Sequence, residues 1–470
     1  MCRFPTIEIP ILLSIFGLEL LGPVQTNLMV YRTCYLILGY NETECALLGN
    51  SNDKAIEDLE KAVEPTVNII DTTTSVIQQT IGLVTCIFTA QLSDKYGRKP
   101  VMLAPLIAMA FSAVIMAVFS YFPNISPWYF MISLIPPLLT GGFSTFMIAN
   151  ISYITDVTTE ETRGVRMAFL EGTIGLGILC GSICSSYLFY ATNYWSVYAI
   201  SGGIVTLAIL YTIFFVPESL ENINNEEETT VKDVLKSFNL KEYVKVFVKK
   251  RPNYNRAIIY LITLTITLYI FEESPGNKTF LFLRSKFNWS LQQYTWYTSI
   301  SSLFFIFGGI FGTVVIHKWL RVTESVAVLM GFISQMNGYL VRGLATRSRD
   351  IYFSAFVKLL AGIISPQMRT LLARLVPNDE IAKLFSLIMV VQSVCGIASS
   401  PFFTLIYNST VNTNPAIFNF VTAGISGTCA ILIVIVIVLE NLRPTTYGKL
   451  IEDVEEVPEQ RSEDYDGSHI

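Results

Sequence analysis

The sequence predicts an all-α membrane protein in which twelve transmembrane helices form two six-helix, pseudo-repeated bundles with both termini in the cytosol. Three observations carry this expectation. The 470 residues are 52% hydrophobic and 15% charged, with a mean hydropathy of +0.50, whereas soluble proteins are about a quarter charged. Twelve runs of about 20 mostly apolar residues can be counted, the length that a bilayer core requires. A polar stretch, 217–255, divides the first six runs from the last six, as expected for two repeated bundles.

The first bundle, 1–216, holds runs at 8–30, 71–92, 101–121, 128–152, 167–189 and 194–216. The linker 217–255 begins acidic, Glu226 to Glu228. It continues as a basic amphipathic helix in which Val231, Val234, Leu235, Phe238, Val244, Phe247 and Val248 recur at helical spacing among Lys232, Lys236, Lys245 and Lys249. Such a helix lies along a membrane surface. The second bundle, 256–440, holds runs at 256–274, 295–316, 324–345, 351–373, 381–406 and 416–439. The acidic segment 441–470 reads as a solvated, disordered tail.

Two signals fix the expected orientation. Placing both termini in the cytosol puts the greater part of the 32 Lys and Arg there, in line with the positive-inside rule, although Arg342, Arg347 and Arg349 fall on the opposite side. The sequons at Asn41, Asn277, Asn288 and Asn408 all fall in loops on that opposite side and are expected to carry glycans. Cys34 and Cys45 share one loop there and could form a disulfide. Cys86, Cys180, Cys184, Cys395 and Cys429 lie in apolar runs and read as inert small hydrophobes.

Enzyme signatures are missing. There is no G-x-S-x-G and no metal-type spacing, and the two histidines are His317 and His469. Pro275-Gly-Asn-Lys278-Thr279 lacks the upstream glycine of a phosphate-binding loop. Net charge is −5 without a basic cluster suited to nucleic acid. The expected partners are a small-molecule substrate and the lipid bilayer, with no obligate protein partner, no metal and no cofactor.

Polar groups that interrupt apolar runs carry the chemistry. Gln91 to Pro100 is a charged connection that hydrocarbon cannot hold. Within it Asp94 and Arg98 are placed to pair at a helix end, and Asp156, Arg163 and Arg166 supply charges from the loop after the fourth run. Together these five read as a latch on the cytoplasmic mouth. Ionisable residues inside a span are costly and are functional candidates by default. Here they are Glu19, Glu171, Glu272, Glu273, Lys358 and Arg369, although Glu272 and Glu273 lie near the outer end of their run, where water reaches. Pro366 is expected to kink the tenth helix beside Arg369, whose guanidinium suits an anionic ligand. The pairs Gly141-Gly142, Gly202-Gly203 and Gly308-Gly309, with Gly312, are expected to let helices approach closely.

Asp94-Lys-Tyr-Gly97-Arg98-Lys99, between the second and third of twelve runs, resembles the signature loop of the major facilitator superfamily, with Ala90 where that pattern has glycine. Leu21-Gly22-Pro23, Tyr31, Gly142-Phe143-Ser144, Leu170-Glu171, Pro366-x-x-Arg369 and Leu384-Phe385-Ser386 extend the resemblance to the proton-coupled folate transporter family, solute carrier family 46. That resemblance implies alternating access around a central cavity, protons as the coupling ion, Glu171 in proton coupling and Arg369 in substrate handling. The family's folate transporter has a histidine in the seventh span and a second cysteine-bearing loop after it; neither is present here, which counts against folate as the substrate. The expected function is proton-coupled symport of a folate-like, muramyl-peptide-like or cyclic-dinucleotide-like anion. An uncoupled uniporter of a neutral solute and a non-transporting membrane sensor or scaffold are the alternatives. The expected membrane is the plasma membrane or an endosomal or lysosomal one.

Overall fold

A computed structural model describes residues 7–48, 54–158, 160–219, 247–249, 251, 254–273, 276–313, 315, 320, 322–376 and 378–442. The predicted amphipathic helix of the linker, apart from Phe247 to Lys249, and the acidic tail lie outside the described residues.

Helix α1 is Glu8–Arg32 and ends in a π-turn, Thr33–Ile37. Helix α2 is Lys54–Tyr96 and α3 is Arg98–Tyr121. A 3-10 segment, Pro127–Leu134, and one short helical turn lead to α4, Gly142–Val157. Then come α5, Glu160–Ala191, and α6, Tyr194–Phe215. The remainder comprises α7, Asn255–Glu273, the short α8, Gly276–Phe287, α9, Leu291–Phe311, and α10, Glu324–Leu344. It continues with α11, Ser348–Val357, α12, Ile364–Ala373, α13, Asn378–Thr410, and α14, Ile417–Asn441.

All twelve predicted runs fall on helices, but nine segments among the described residues are long and apolar enough to cross a bilayer on that criterion. The other three runs lie on α2, α9 and α10. Their hydropathy is diluted by Ser, Thr, Asn and Gln, some of which join other helices. Thr295 and Gln335 are buried, and with Thr72 they are hydrogen-bonded to partners on other helices.

Two readings of local geometry change. Gly141 and Gly142 have φ of +74° and +55°, a left-handed backbone that L-residues with a Cβ avoid. They break the fourth run into a 3-10 segment and α4 and do not serve as a packing pair. In the tenth run the break precedes Pro366: helical geometry gives way at Lys358 to a 3-10 segment, Leu359–Ile363, and Pro366 sits in the first turn of α12, where a missing N–H costs little.

Helix α1 packs on α5 and α6, and α3 on α4 and α6. Later in the chain α10 packs on α11, α12 and α14, and α7 on α13 and α14. The principal contacts between these groups are α5 with α9 and α2 with α13. One apolar cluster is built on α1, α3, α4 and α6 around Ile11, Met102, Phe146 and Val205. A second is built on α7, α10, α12 and α14 around Ile262, Phe332, Leu372 and Ile433. The third joins both groups at the end of the molecule where Cys34 and Cys45 are disulfide-bonded, through Val24, Val63, Phe282 and Tyr407. This disulfide end is sealed by apolar contact; the opposite end carries the Arg98 loop.

Candidate functional site

At the Arg98 end, α2 turns into α3 through Gly97, whose φ is +99°. The carboxylate of Glu218, just beyond α6, accepts from the backbone N–H of Arg98 at 2.8 Å and of Lys99 at 3.0 Å. It therefore occupies the positive end of the α3 dipole. A Cβ on residue 97 would stand 2.5 Å from a Glu218 oxygen and push that carboxylate aside, while the positive φ of the turn itself favours glycine. Arg98 Nε donates to Asp156 Oδ2 at 2.8 Å, and Arg98 Nη1 to Ser93 Oγ at 3.1 Å. Ser219 Oγ donates to the same Asp156 oxygen at 3.0 Å. Arg166 pairs with the buried Glu8 at 3.1 Å rather than with Asp156. The side chains of Asp94, Arg163 and Asn277 lie outside those described. Of the predicted latch, then, the structure brings together Arg98 and Asp156 and adds Glu8, Ser93, Glu218 and Ser219. At the same end an Arg374–Glu324 ion pair ties α12 to the start of α10.

A second constellation lies deeper, where α7, α10, α11 and α14 meet. Glu272 is fully buried, accepting from Gln335 Nε2 at 2.5 Å and from Ser426 Oγ at 2.7 Å. Glu273 is not simply a solvated neighbour. Its Oε1 accepts from Gln335 Nε2 at 3.1 Å, from the Tyr339 hydroxyl at 3.0 Å and from Lys358 Nζ at 3.1 Å. Lys358 also donates to the Tyr339 hydroxyl at 2.8 Å. One helical turn beyond Tyr339 and two beyond Gln335, the buried Arg342 donates to Asn419 Oδ1 at 2.6 Å. Among the described residues Lys358 is the one cation within ion-pair distance of the two glutamates, and it is on Glu273. Glu272 is left as a buried carboxyl held by neutral donors, while 42% of the Glu273 side chain remains exposed.

The remaining intramembrane charges stand apart from this network. Glu19 is half-buried on α1, with Gly181 of α5 directly against its Cβ. Glu171 and Arg369 are exposed on α5 and α12, toward the Arg98 end, and neither has an ion-pair partner among the described residues. Asn408 is drawn into the disulfide end: its amide donates to Pro65 O at 3.2 Å, and its Oδ1 accepts from Asn68 at 3.0 Å. Its side chain is thus occupied by the interface in this conformation instead of being presented to a glycan-transferring enzyme. Lys278, from the segment read against a phosphate-binding loop, faces Asp71 at 3.9 Å.

A sequence model of the Major Facilitator Superfamily matches residues 63–401. The chain belongs to that superfamily. Its relatives within the superfamily include the probable peptidoglycan muropeptide transporter of Drosophila melanogaster, 28% identical over 433 residues, 90% of this chain and 83% of that protein. The proton-coupled folate transporter of Bos taurus is 23% identical over 414 residues, 88% and 87% of the two chains. The human lysosomal proton-coupled steroid conjugate and bile acid symporter is 23% identical over 438 residues, 89% and 91%. These are relatives in solute carrier family 46, the family whose motifs the sequence resembles. Superfamily members share the fold: the human organic anion transporter MFSD10 superposes with a TM-score of 0.61 at 16% identity, over 91% of this chain and 98% of that one. A peptide transporter in complex with sulfate gives 0.62 at 12% identity, over 94% and 96%. The protein is a multi-pass membrane transporter, and nothing in this kinship points to an enzyme.

Proposed function

We propose that the protein is a proton-coupled symporter of an organic anion, working by alternating access between a first bundle, 1–216, and a second, 256–440. In this reading twelve helices cross the bilayer, both termini and the 217–255 linker face the cytosol, and the disulfide end faces outward or into an acidic organelle lumen. The observation that supports coupling is the Glu272–Gln335–Glu273–Lys358 network. A buried carboxylate without a counter-ion is strongly unfavourable, and a proton removes the penalty. Glu272 takes the proton, and the shared Gln335 amide reports its state to Glu273. The Glu273–Lys358 pair then tightens or loosens α7 against α11.

Glu171 and Arg369 have the second part. An exposed, unpaired charge on a spanning helix must face water, so their faces of α5 and α12 line the passage toward the Arg98 end. Arg369 holds the anion and Glu171 releases the proton to the cytosol. Arg98 with Asp156, and Arg374 with Glu324, brace the helix ends that move. Muropeptide, folate and steroid-conjugate transport by the relatives supports an anion with a sizeable apolar or planar part.

Reconstitution in liposomes enclosing a pH-sensitive dye tests this. With an inward proton gradient, folates, muramyl peptides and cyclic dinucleotides are offered in turn. One of them evokes proton influx in the native protein. Glu272→Gln abolishes that influx but retains substrate counterflow, and Arg369→Ala loses counterflow as well. Proton influx undiminished in Glu272→Gln would refute the coupling role.

A further inference from the structure

The overhang of α2 carries a row of acidic and amide side chains that coupling does not use. Glu60, Glu64 and Asn68 recur every four residues, with Asp71 next, so all four lie on one face of the helix. That face meets α8 and α13. Glu60 is ion-paired with Arg284, which also donates to Asn27 Oδ1 at 2.7 Å. Asn68 meets Asn408 at 3.0 Å, Asp71 faces Lys278 at 3.9 Å, and Thr72 bonds Thr404.

Glu64 differs from its neighbours. It is fully buried, its Oε2 accepts from the Tyr407 hydroxyl at 3.0 Å, and its Oε1 has no hydrogen-bond partner. The charged groups around it are accounted for. On α2, Glu60 is engaged by Arg284 and Lys61 lies 3.9 Å from Asp58; on α8, Arg284 belongs to Glu60 and Lys278 to Asp71. Among the described residues of α13 it meets the phenol of Tyr407. Among the described residues Glu64 thus has no ion-pair partner of its own: Arg284 sits on Glu60 and Lys278 on Asp71.

We propose that Glu64 is a proton-binding site at the mouth on the disulfide end, loaded when the mouth is closed and emptied when it opens. With the proton on Oε2 the contact to Tyr407 reverses direction, and the Tyr407 hydroxyl turns to Ser285 Oγ at 3.5 Å. Neutral Glu64 no longer leaves an uncompensated charge buried where α2 meets α13, so the contact stays together. Burial, and next the charge of Glu60, raise the proton affinity of Glu64 above the ordinary glutamate range. In an open mouth, water returns it to the ordinary glutamate value. The closed form therefore binds more protons than the open one, and acidification across the interval above that value drives closure, by at most about tenfold per pH unit. The site lies on the part of α2 ahead of the apolar run 71–92, apart from Glu272, and acts whether or not Glu272 carries the coupling proton.

Paired spin labels at Ala62→Cys and Ser409→Cys read the mouth directly in the full-length, reconstituted protein without substrate. The free cysteines are replaced and the Cys34–Cys45 bond is kept. The expected result is two distance populations whose closed fraction rises as pH falls from about 8 to about 4.5, an interval chosen to bracket a raised glutamate. Glu64→Gln is expected to give the closed population throughout, and Glu64→Asp to retain a pH response. A pH response in Glu64→Gln equal to that of the native chain overturns the proposal, and so does one unchanging distance in the native protein. Glu272→Gln should leave this response intact, which separates the mouth from the coupling site.

Discussion

Lys358 and Glu273 are the residues at which position in the sequence and role in the structure diverge most. Each reads, one at a time, as a charge near a span. They are 85 positions apart, and they meet at 3.1 Å where the chain leaves helical geometry at Lys358. Removing the amine strands Glu273 among Gln335 and Tyr339. Breaking a fully buried pair costs about 3–5 kcal/mol; with 42% of Glu273 and 27% of Lys358 exposed, solvent screening reduces this to about 1 kcal/mol. Lys358→Ala is therefore expected to lower the thermal transition of detergent-purified protein by a few degrees. Lys358→Ala with Glu273→Gln is expected to recover most of the loss, because no charge is then stranded. A double variant no more stable than the single one would show that Lys358 supports the fold through its packing on Tyr339, 4.4 Å from the ring centroid. The Arg98 loop was legible as a polar turn outside the hydrocarbon because a run of polar residues between apolar ones has no other place to go. Its partner Glu218 was not, since only the turn at Gly97 and the exit of α6 bring that carboxylate to the start of α3.

Elements were legible wherever the apolar pattern was long and clean. The helices least apolar over a full span, α2, α9 and α10, each carry polar side chains that bond to other helices, Thr72 to Thr404, Thr295 to Ser186 and Gln335 to Glu272. Glycine needed the structure to be interpreted. Gly141 is a break, whereas Gly308 and Gly309 let α9 lie directly on the 3-10 segment 359–363. A Cβ on Gly308 would overlap the carbonyl oxygen of Leu359, and one on Gly362 would overlap that of Phe305. Backbone cannot rotate away as a side chain can, so overpacking here costs about 1–3 kcal/mol or more. Because this contact holds the segment that presents Lys358, Gly308→Val is expected to lower both the thermal transition and coupled uptake. Gly203→Val, at a position with open space around its Cα, should change neither. Uptake retained at the native level in Gly308→Val would show that the 3-10 segment does not need this approach.

The molecule as a whole is closed at one end. Its apolar seal and the polar contacts that cross it, Asn68 with Asn408, Thr72 with Thr404, Arg284 with Asn27 and Ser186 with Thr295, all join early helices to late ones at or toward the disulfide end. The ion pairs at the other end, Arg98 with Asp156 and Arg374 with Glu324, each join helices within one set. Pairs of that kind brace each set without tying the two together, so parting the sets at the disulfide end breaks the first group and leaves the second whole. In the proposed alternating access the α2–α13 contact has to separate once per cycle. Thr72 and Thr404 have hydroxyls in direct contact, which puts their Cβ atoms within reach of disulfide geometry after small adjustments. Thr72→Cys with Thr404→Cys, in a background of Cys34 and Cys45 alone, is expected to lose substrate uptake when oxidised and regain it on reduction. The Cys34–Cys45-only parent is carried through the same reduction so that opening of the native bond is accounted for. If the oxidised, cross-linked protein transports at the parental rate, the α2–α13 contact is a fixed hinge, and the moving mouth must lie between α5 and α9.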